Sequence, residues 1–200
     1  MGCGSRSIES KVANEGYVVR VPHHPLTQVS PENLERVTSM PLGPHTTTAH
    51  PQRIVCGVPV DIYSIVIPDL YDPSAIPTAW QKFWADFPKA DMPSNNQAWG
   101  VSTPIEGTQG QLHYIAGVEV SPNYNPPPGF ELVSIPAGNY LEVTHQGPID
   151  SLAQSYGQAY GVVLPQTGLE MRAGQHLELY DAMLNPMADD FSMGILIPVK

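Results

Sequence analysis

Residues 129–148 read GFELVSIPAGNYLEVTHQGP. From Tyr140 to His145 the side chains alternate as on a strand, with Tyr140, Glu142 and Thr144 on one face and Leu141, Val143 and His145 on the other. The next run, GPIDSLAQSYGQAYGVV, has helical spacing: Ile149, Leu152, Tyr156 and Tyr160 share one face, and Pro148 sits near the start. Two further strands follow, GQHLELYDAM and DDFSMGILIPVK, joined through the Asn185-Pro186 turn.

The same order of elements precedes this stretch. RIVCGVPVDIYSIVIP is strand-like, with a proline that suits a bulge or an edge position. PSAIPTAWQKFWADFP is helical: Ser74 suits a cap, Pro77 the first turn and Pro88 a stop, and Ile76, Trp80, Phe83, Trp84 and Phe87 fall on one face. QAWGVSTP and QLHYIAGVEVSP read as a hairpin. The chain therefore carries a β-α-β-β unit twice. Two such units lay their strands in one antiparallel sheet with two helices on one side, an α+β fold with a cleft between the helices floored by the sheet.

A length of 200 residues with 42% hydrophobic content suits one globular domain. We place it at residues 51–200, behind an extension over residues 1–50 that is rich in Ser, Thr, Pro and His. That extension shows a short helical signal only at SPENLERVTSM. Its histidines, His23, His24, His45 and His50, are irregularly spaced and read as part of a solvated tail, not a metal tract. Residues 1–50 hold four Lys/Arg and four Asp/Glu, whereas residues 51–200 hold five and fifteen, so the net charge of -10 belongs to the domain. Such acidity repels phosphate backbones and argues against direct nucleic-acid binding. Cys3 and Cys56 are too far apart in sequence and too few for a disulfide framework or a zinc site, which fits a reducing cytoplasm. No apolar run approaches the roughly 20 residues of a membrane span. Nucleophile elbow, phosphate loop and dinucleotide fingerprint are all missing, and no cofactor is expected. His113, His145 and His176 are isolated from one another and read as surface or hydrogen-bonded residues.

Taken together, IPTAWQKFW, AWGVS, YIAGVEV, PAGNYLEVTHQGP, VVLPQTG and LELYD resemble the GyrI-like, or AraC-type effector-binding, domain family from about residue 51 to the C-terminus. The resemblance implies the duplicated fold and a stand-alone module that binds a hydrophobic, cationic small molecule in a sensing or sequestering role. It casts the extended segment ELVSIPAGNYLEVTH, residues 131–145, as the central strand opening the second repeat. Gly147 then allows a sharp turn into the helix, and the polar face, with a solvated Glu142, looks away from the helices or toward the cleft edge.

Glu178 stands between Leu177 and Leu179 and shares its strand face with Tyr180. Pattern alone reads it as an outward, solvated carboxylate. The resemblance implies a buried glutamate that meets the ligand's positive charge. Trp99 and Tyr114 on the hairpin and Trp80 and Trp84 on the first helix supply aromatic faces, each worth about 0.5 to 2 kcal/mol to a cation. Trp80 and Trp84 fit core packing equally well. Glu119 matches another acid of the family but lies on the opposite strand face from Tyr114, which leaves a structural hydrogen bond and a ligand contact both open. Whether the chain is an enzyme is also open. A hydrolase of electrophilic small molecules would use Glu178 as base and Tyr180 or Tyr114 as acid. Docking to DNA gyrase or to a DNA-binding regulator is the remaining alternative.

Overall fold

The computed structural model describes residues 43–64, 67 and 69–200. Eight strands form one antiparallel sheet: β1 (His45–His50), β2 (Arg53–Tyr63), β3 (Gln97–Pro104), β4 (Gln111–Val120), β5 (Glu131–Ile135), β6 (Gly138–Gln146), β7 (His176–Asp181) and β8 (Ser192–Val199). Their order across the sheet is β1-β6-β8-β7-β3-β4-β2-β5. Helix α1 (Ala75–Asp86) follows β2. A helical run follows β6: a 3₁₀ turn (Ile149–Ser151), α2 (Leu152–Gln158), a π turn (Ala159–Val163) and α3 (Leu164–Thr167). Pro165 has no N–H to bond back to Gly161, and the run is π-helical just before it. Gly168, at φ 68°, ends the run in the left-handed conformation.

The two repeats, β2-α1-β3-β4 and β6-α2-β7-β8, occupy mirrored places in the strand order and meet at the β7–β3 pair. Pro59 falls beyond the segment of β2 that pairs with β5, where β2 is an edge, so its missing N–H costs no ladder bond on that side. Ser74 stands at the start of α1, but its hydroxyl donates to Asp72 at 2.7 Å and caps nothing.

The boundary expected at residues 50/51 lies too late in the chain. Residues 45–50 form β1, paired with β6 from His45↔Val143 to His50↔Gly138. Thr46, Thr47 and Thr48 suit a strand, but a run of threonine and histidine has no apolar face for alternation to reveal. Glu142, expected in solvent, is half-buried beneath β1 and accepts hydrogen bonds from Thr48 Oγ1 at 3.2 Å and His50 Nε2 at 3.0 Å. The SPENLERVTSM signal, His23 and His24 lie outside the described residues.

Two short links dictate the shape of the sheet. Pro51-Gln52 joins β1 to β2, and Pro136-Ala137 joins β5 to β6, yet each pair of strands is six places apart in the sheet. Six flat strand spacings amount to about 29 Å. Three residue steps reach at most about 11 Å. The sheet must therefore coil until its two ends meet. Coiling buries the face turned away from the helices: Val55, Trp99, Val101, Ile115, Ile135, Tyr140, Leu177 and Leu196, drawn from seven strands, form one cluster. This is where Tyr140, from the supposedly polar face of β6, is buried.

The helix-bearing face has two half-cores. Phe83 and Ala79 of α1 pack with Phe87, Cys56, Val58, Ala116 and Phe130. Ala159, Val163 and Leu164 of the second helical run pack with Leu141, Val143, Phe191 and Ile195. Tyr180 packs against both and so marks the junction.

Because Trp99 is 1% exposed inside the coil, Trp99→Ala should lower unfolding stability by about 3 to 5 kcal/mol in denaturant titration while leaving ligand affinity within about twofold. A loss of affinity without a loss of stability would return Trp99 to the cleft.

Candidate ligand-binding site

Alternation on β7 turns His176, Glu178 and Tyr180 toward the helices and Leu177 and Leu179 into the coil. Glu178 pairs in register with Gly100 of β3, whose neighbour on β4 is Ala116, while Tyr114 lies across from Ser102. A Cβ at position 100 would come within 2.3 Å of Tyr114 Oη and 2.5 Å of Glu178 Oε2. The bare glycine is what lets the phenol reach the carboxylate.

Three tyrosine hydroxyls converge on Glu178, each from a different element. Tyr114 of β4 donates to Oε2 at 2.8 Å, Tyr180 of β7 donates to the same oxygen at 2.8 Å, and Tyr156 of α2 donates to Oε1 at 2.7 Å. The Trp80 indole N–H from α1 donates to Tyr114 Oη at 3.1 Å and extends the chain across the junction. Glu178 is 5% exposed beneath these rings. Among the described residues no lysine, arginine or histidine comes within ion-pair distance of it. The anion is therefore held by neutral donors alone. Burial, then the Glu178 charge, holds the Tyr114, Tyr156 and Tyr180 phenols well above their ordinary range, so all three remain protonated donors. Tyr71 is shifted upward by burial and by the same charge, which places it in the electrostatic reach of the site.

Around this centre, Trp80 meets Tyr180 edge-on at 5.2 Å and stacks on Trp84 at 5.8 Å. Trp84 is 43% exposed and forms the outer end of the aromatic ladder. Tyr160, one turn after Tyr156, stacks on it at 6.2 Å and bonds His176 Nδ1 at 2.6 Å. At the end of β6, His145 is buried with Nδ1 2.8 Å from Ser155 Oγ and Nε2 3.0 Å from the Gly147 carbonyl. This pair ties the strand to α2. No group of three His, Cys, Asp or Glu side chains among the described residues could hold a metal ion.

The structure thus gathers Glu178, Tyr114, Tyr180 and Trp80, with Trp84 at the rim. Trp99 is not among them. It lies on the opposite sheet face, under the Arg53 guanidinium at 4.9 Å, because strand alternation separates it from Gly100. Glu119 also lies away from the site and pairs with Arg53. Sequence reasoning missed Tyr156, Tyr160 and Gly100. The two tyrosines were visible as part of the inward face of the helix, but only the juxtaposition of α2 with β7 aims one of them at an acid.

The duplicated fold agrees with a family match. A family model described as a GyrI-like small molecule binding domain matches residues 62–200. The chain belongs to this family. The transcriptional regulator BrlR of Pseudomonas aeruginosa is 33% identical to the GyrI-like chain over 91 residues, which are 45% of this chain and 34% of the regulator. The chain therefore matches about a third of the length of that curated relative. Among solved structures, SAV2435 bound to tetraphenylphosphonium superposes with a TM-score of 0.61 at 14% identity, covering 79% of this chain and 94% of that one. The integron cassette protein VCH_CASS2 of Vibrio cholerae gives 0.60 at 14% identity, covering 81% and 99%. These two likenesses establish a shared fold. No helix of the described residues is long and apolar enough to cross a membrane.

Two outcomes follow from the geometry of this GyrI-like site. Gly100→Ala should push Tyr114 off the carboxylate and cost about 1 to 3 kcal/mol, read by denaturant unfolding; an unchanged midpoint would contradict the close approach. The second concerns acid. Burial, and for His176 also the Arg172 charge, holds His145 below its ordinary value and His176 down at about 4. The unfolded chain takes up these protons near pH 6.5, and the folded chain does not. Stability should be intact above about pH 6.5 and fall as the pH drops toward 4, and His176→Gln should flatten part of that fall in thermal melts.

Proposed function

We propose that this GyrI-like domain binds lipophilic organic cations beside Glu178, in a sensing or sequestering role. The observation that carries the reading is a buried carboxylate held only by neutral donors. An ion taken from water without a counter-charge is incompletely compensated by hydrogen bonds, and a cation arriving at it recovers Coulomb energy in a low-dielectric site. The surrounding Trp80, Tyr114, Tyr156 and Tyr180 rings offer the π faces that favour such a cation. The acidic domain adds a long-range attraction for positive ligands.

Hydrogen-bond capacity narrows the ligand further. An ionised carboxylate offers about four lone-pair positions, and three are taken by tyrosines. A primary ammonium, with three N–H donors, would have to displace phenols or leave donors unsatisfied. A quaternary or delocalised cation needs no hydrogen bond and can pair with the intact cluster. Tetraphenylphosphonium, named with SAV2435, is a cation of that type. With Glu178 at 5% exposure, a ligand reaches it only when the aromatic cover shifts, so the opening energy is subtracted from the affinity.

The match to part of a transcriptional regulator supports a sensing role in which the ligand-bound domain acts on a DNA-binding partner. Cysteine usage supports a cytoplasmic setting, with Cys56 a buried free thiol.

Calorimetry with an aryl trimethylammonium, its neutral tert-butyl isostere and the primary ammonium analogue tests this reading. Glu178→Gln should weaken the quaternary cation about ten- to a hundredfold and leave the neutral isostere within about twofold. Wild-type protein should prefer the quaternary to the primary cation. Equal losses for the charged and neutral compounds would show that Glu178 is structural and that charge recognition lies elsewhere.

A further inference from the structure

His176 is the polar residue of this face that the cation reading leaves without a task. It precedes Glu178 by two residues on β7, so the two side chains leave the same strand face one repeat, about 7 Å, apart. Tyr160 Oη lies 2.6 Å from His176 Nδ1. The Tyr160 phenol is shifted upward by burial and by the Glu178 charge and stays protonated, while burial and Arg172 hold the imidazole neutral at neutral pH. Among the described residues the Tyr160 hydroxyl has no other acceptor, so donation to Nδ1 satisfies it, and we assign the ring proton of the imidazole to Nε2 on that basis. Among the described residues, Nε2 has no hydrogen-bond partner, and the residue is half-buried.

The two polar groups are joined by one wall. Tyr156 and Tyr160, four residues apart on the second helical run, stack nearly parallel at 12°. Tyr156 holds Glu178 and Tyr160 holds His176. A flat ligand lying along this wall meets an anion at one end and an unused N–H donor at the other.

We propose that the site selects bifunctional ligands: an organic cation carrying a hydrogen-bond acceptor, such as a carbonyl oxygen, about one strand repeat from its positive centre, with His176 Nε2–H donating to that acceptor. This rests on the reading of Glu178 as the cation's partner and adds a second, neutral anchor that sets specificity. A structural role for His176, as a mere tie between β7 and Tyr160, would leave affinity indifferent to the acceptor.

The test compares two quaternary cations of nearly equal shape, 4-acetylphenyltrimethylammonium and 4-isopropenylphenyltrimethylammonium, which differ in a carbonyl oxygen against a methylene. Wild-type protein should bind the acetyl compound about three- to tenfold more tightly, the range of one neutral hydrogen bond. His176→Phe should abolish that preference while leaving the isopropenyl compound within about twofold. His176→Gln, which returns an N–H donor near the Nε2 position, should restore part of it; thermal melts of both variants confirm folding. Equal affinities in wild type, or a preference that survives His176→Phe, would overturn the proposal. Glu178→Gln separates the two readings: if it weakens both cations while the acetyl preference is missing, the cation site stands and the second anchor falls. If it weakens neither, the cation site itself falls, and the second anchor with it.

Discussion

Three phenols aimed at one carboxylate hold the two halves of this fold in register. Tyr114 comes from the first repeat, and Tyr156 and Tyr180 come from the helix and strand of the second, so the Glu178 cluster spans the junction at which the two half-cores meet. Each hydrogen bond to the charged group is worth roughly 1.5 to 3 kcal/mol, while a single missing partner leaves a buried charge less compensated. The cluster tolerates neither a side chain at Gly100 nor a rotation of α2 that withdraws Tyr156. The coiled sheet serves it in turn: by burying Trp99 and Tyr140 on the far face, it frees the helix-bearing face of β3 and β7 to carry polar residues.

Much of this arrangement is legible in the sequence, wherever one face of an element is apolar. The aromatic stripe of α1 and the alternation of β6 reveal the elements, and their repetition reveals the duplicated unit. Periodicity stops short in two places. β1 is written in threonine and histidine, so its only signature is a partner, Glu142, that is known once the strands are paired. Trp99 was separable from Gly100 by alternation, but alternation cannot tell which of two faces a helix will cover and which a coiled sheet will enclose. The coil follows from the two-residue links set against the strand order, and strand order is a property of the folded sheet.

The site shows a similar division. Pattern alone would send Glu178 outward, as an acid in a strand usually goes, and the family resemblance alone brought it inward. Its burial is now explained by local chemistry: three tyrosines replace the water it loses. Tyr156 and Tyr160 occupied the same helical face as Ile149 and Leu152 and read as packing, which they are along their rings. Their hydroxyls acquire meaning only opposite β7, where one meets Glu178 and the other His176.

The central claim is that a positive charge belongs beside Glu178, between α1 and the second helical run. A crystal structure of the complex with a bromine-substituted aryl trimethylammonium measures this directly, since anomalous scattering locates the ligand independently of the protein map. The expected result is a cation in contact with the Glu178 carboxylate, flanked by the Trp80 and Tyr156 rings, with the aromatic cover displaced outward to admit it. A cation bound elsewhere, with Glu178 still closed beneath its three tyrosines, would contradict it.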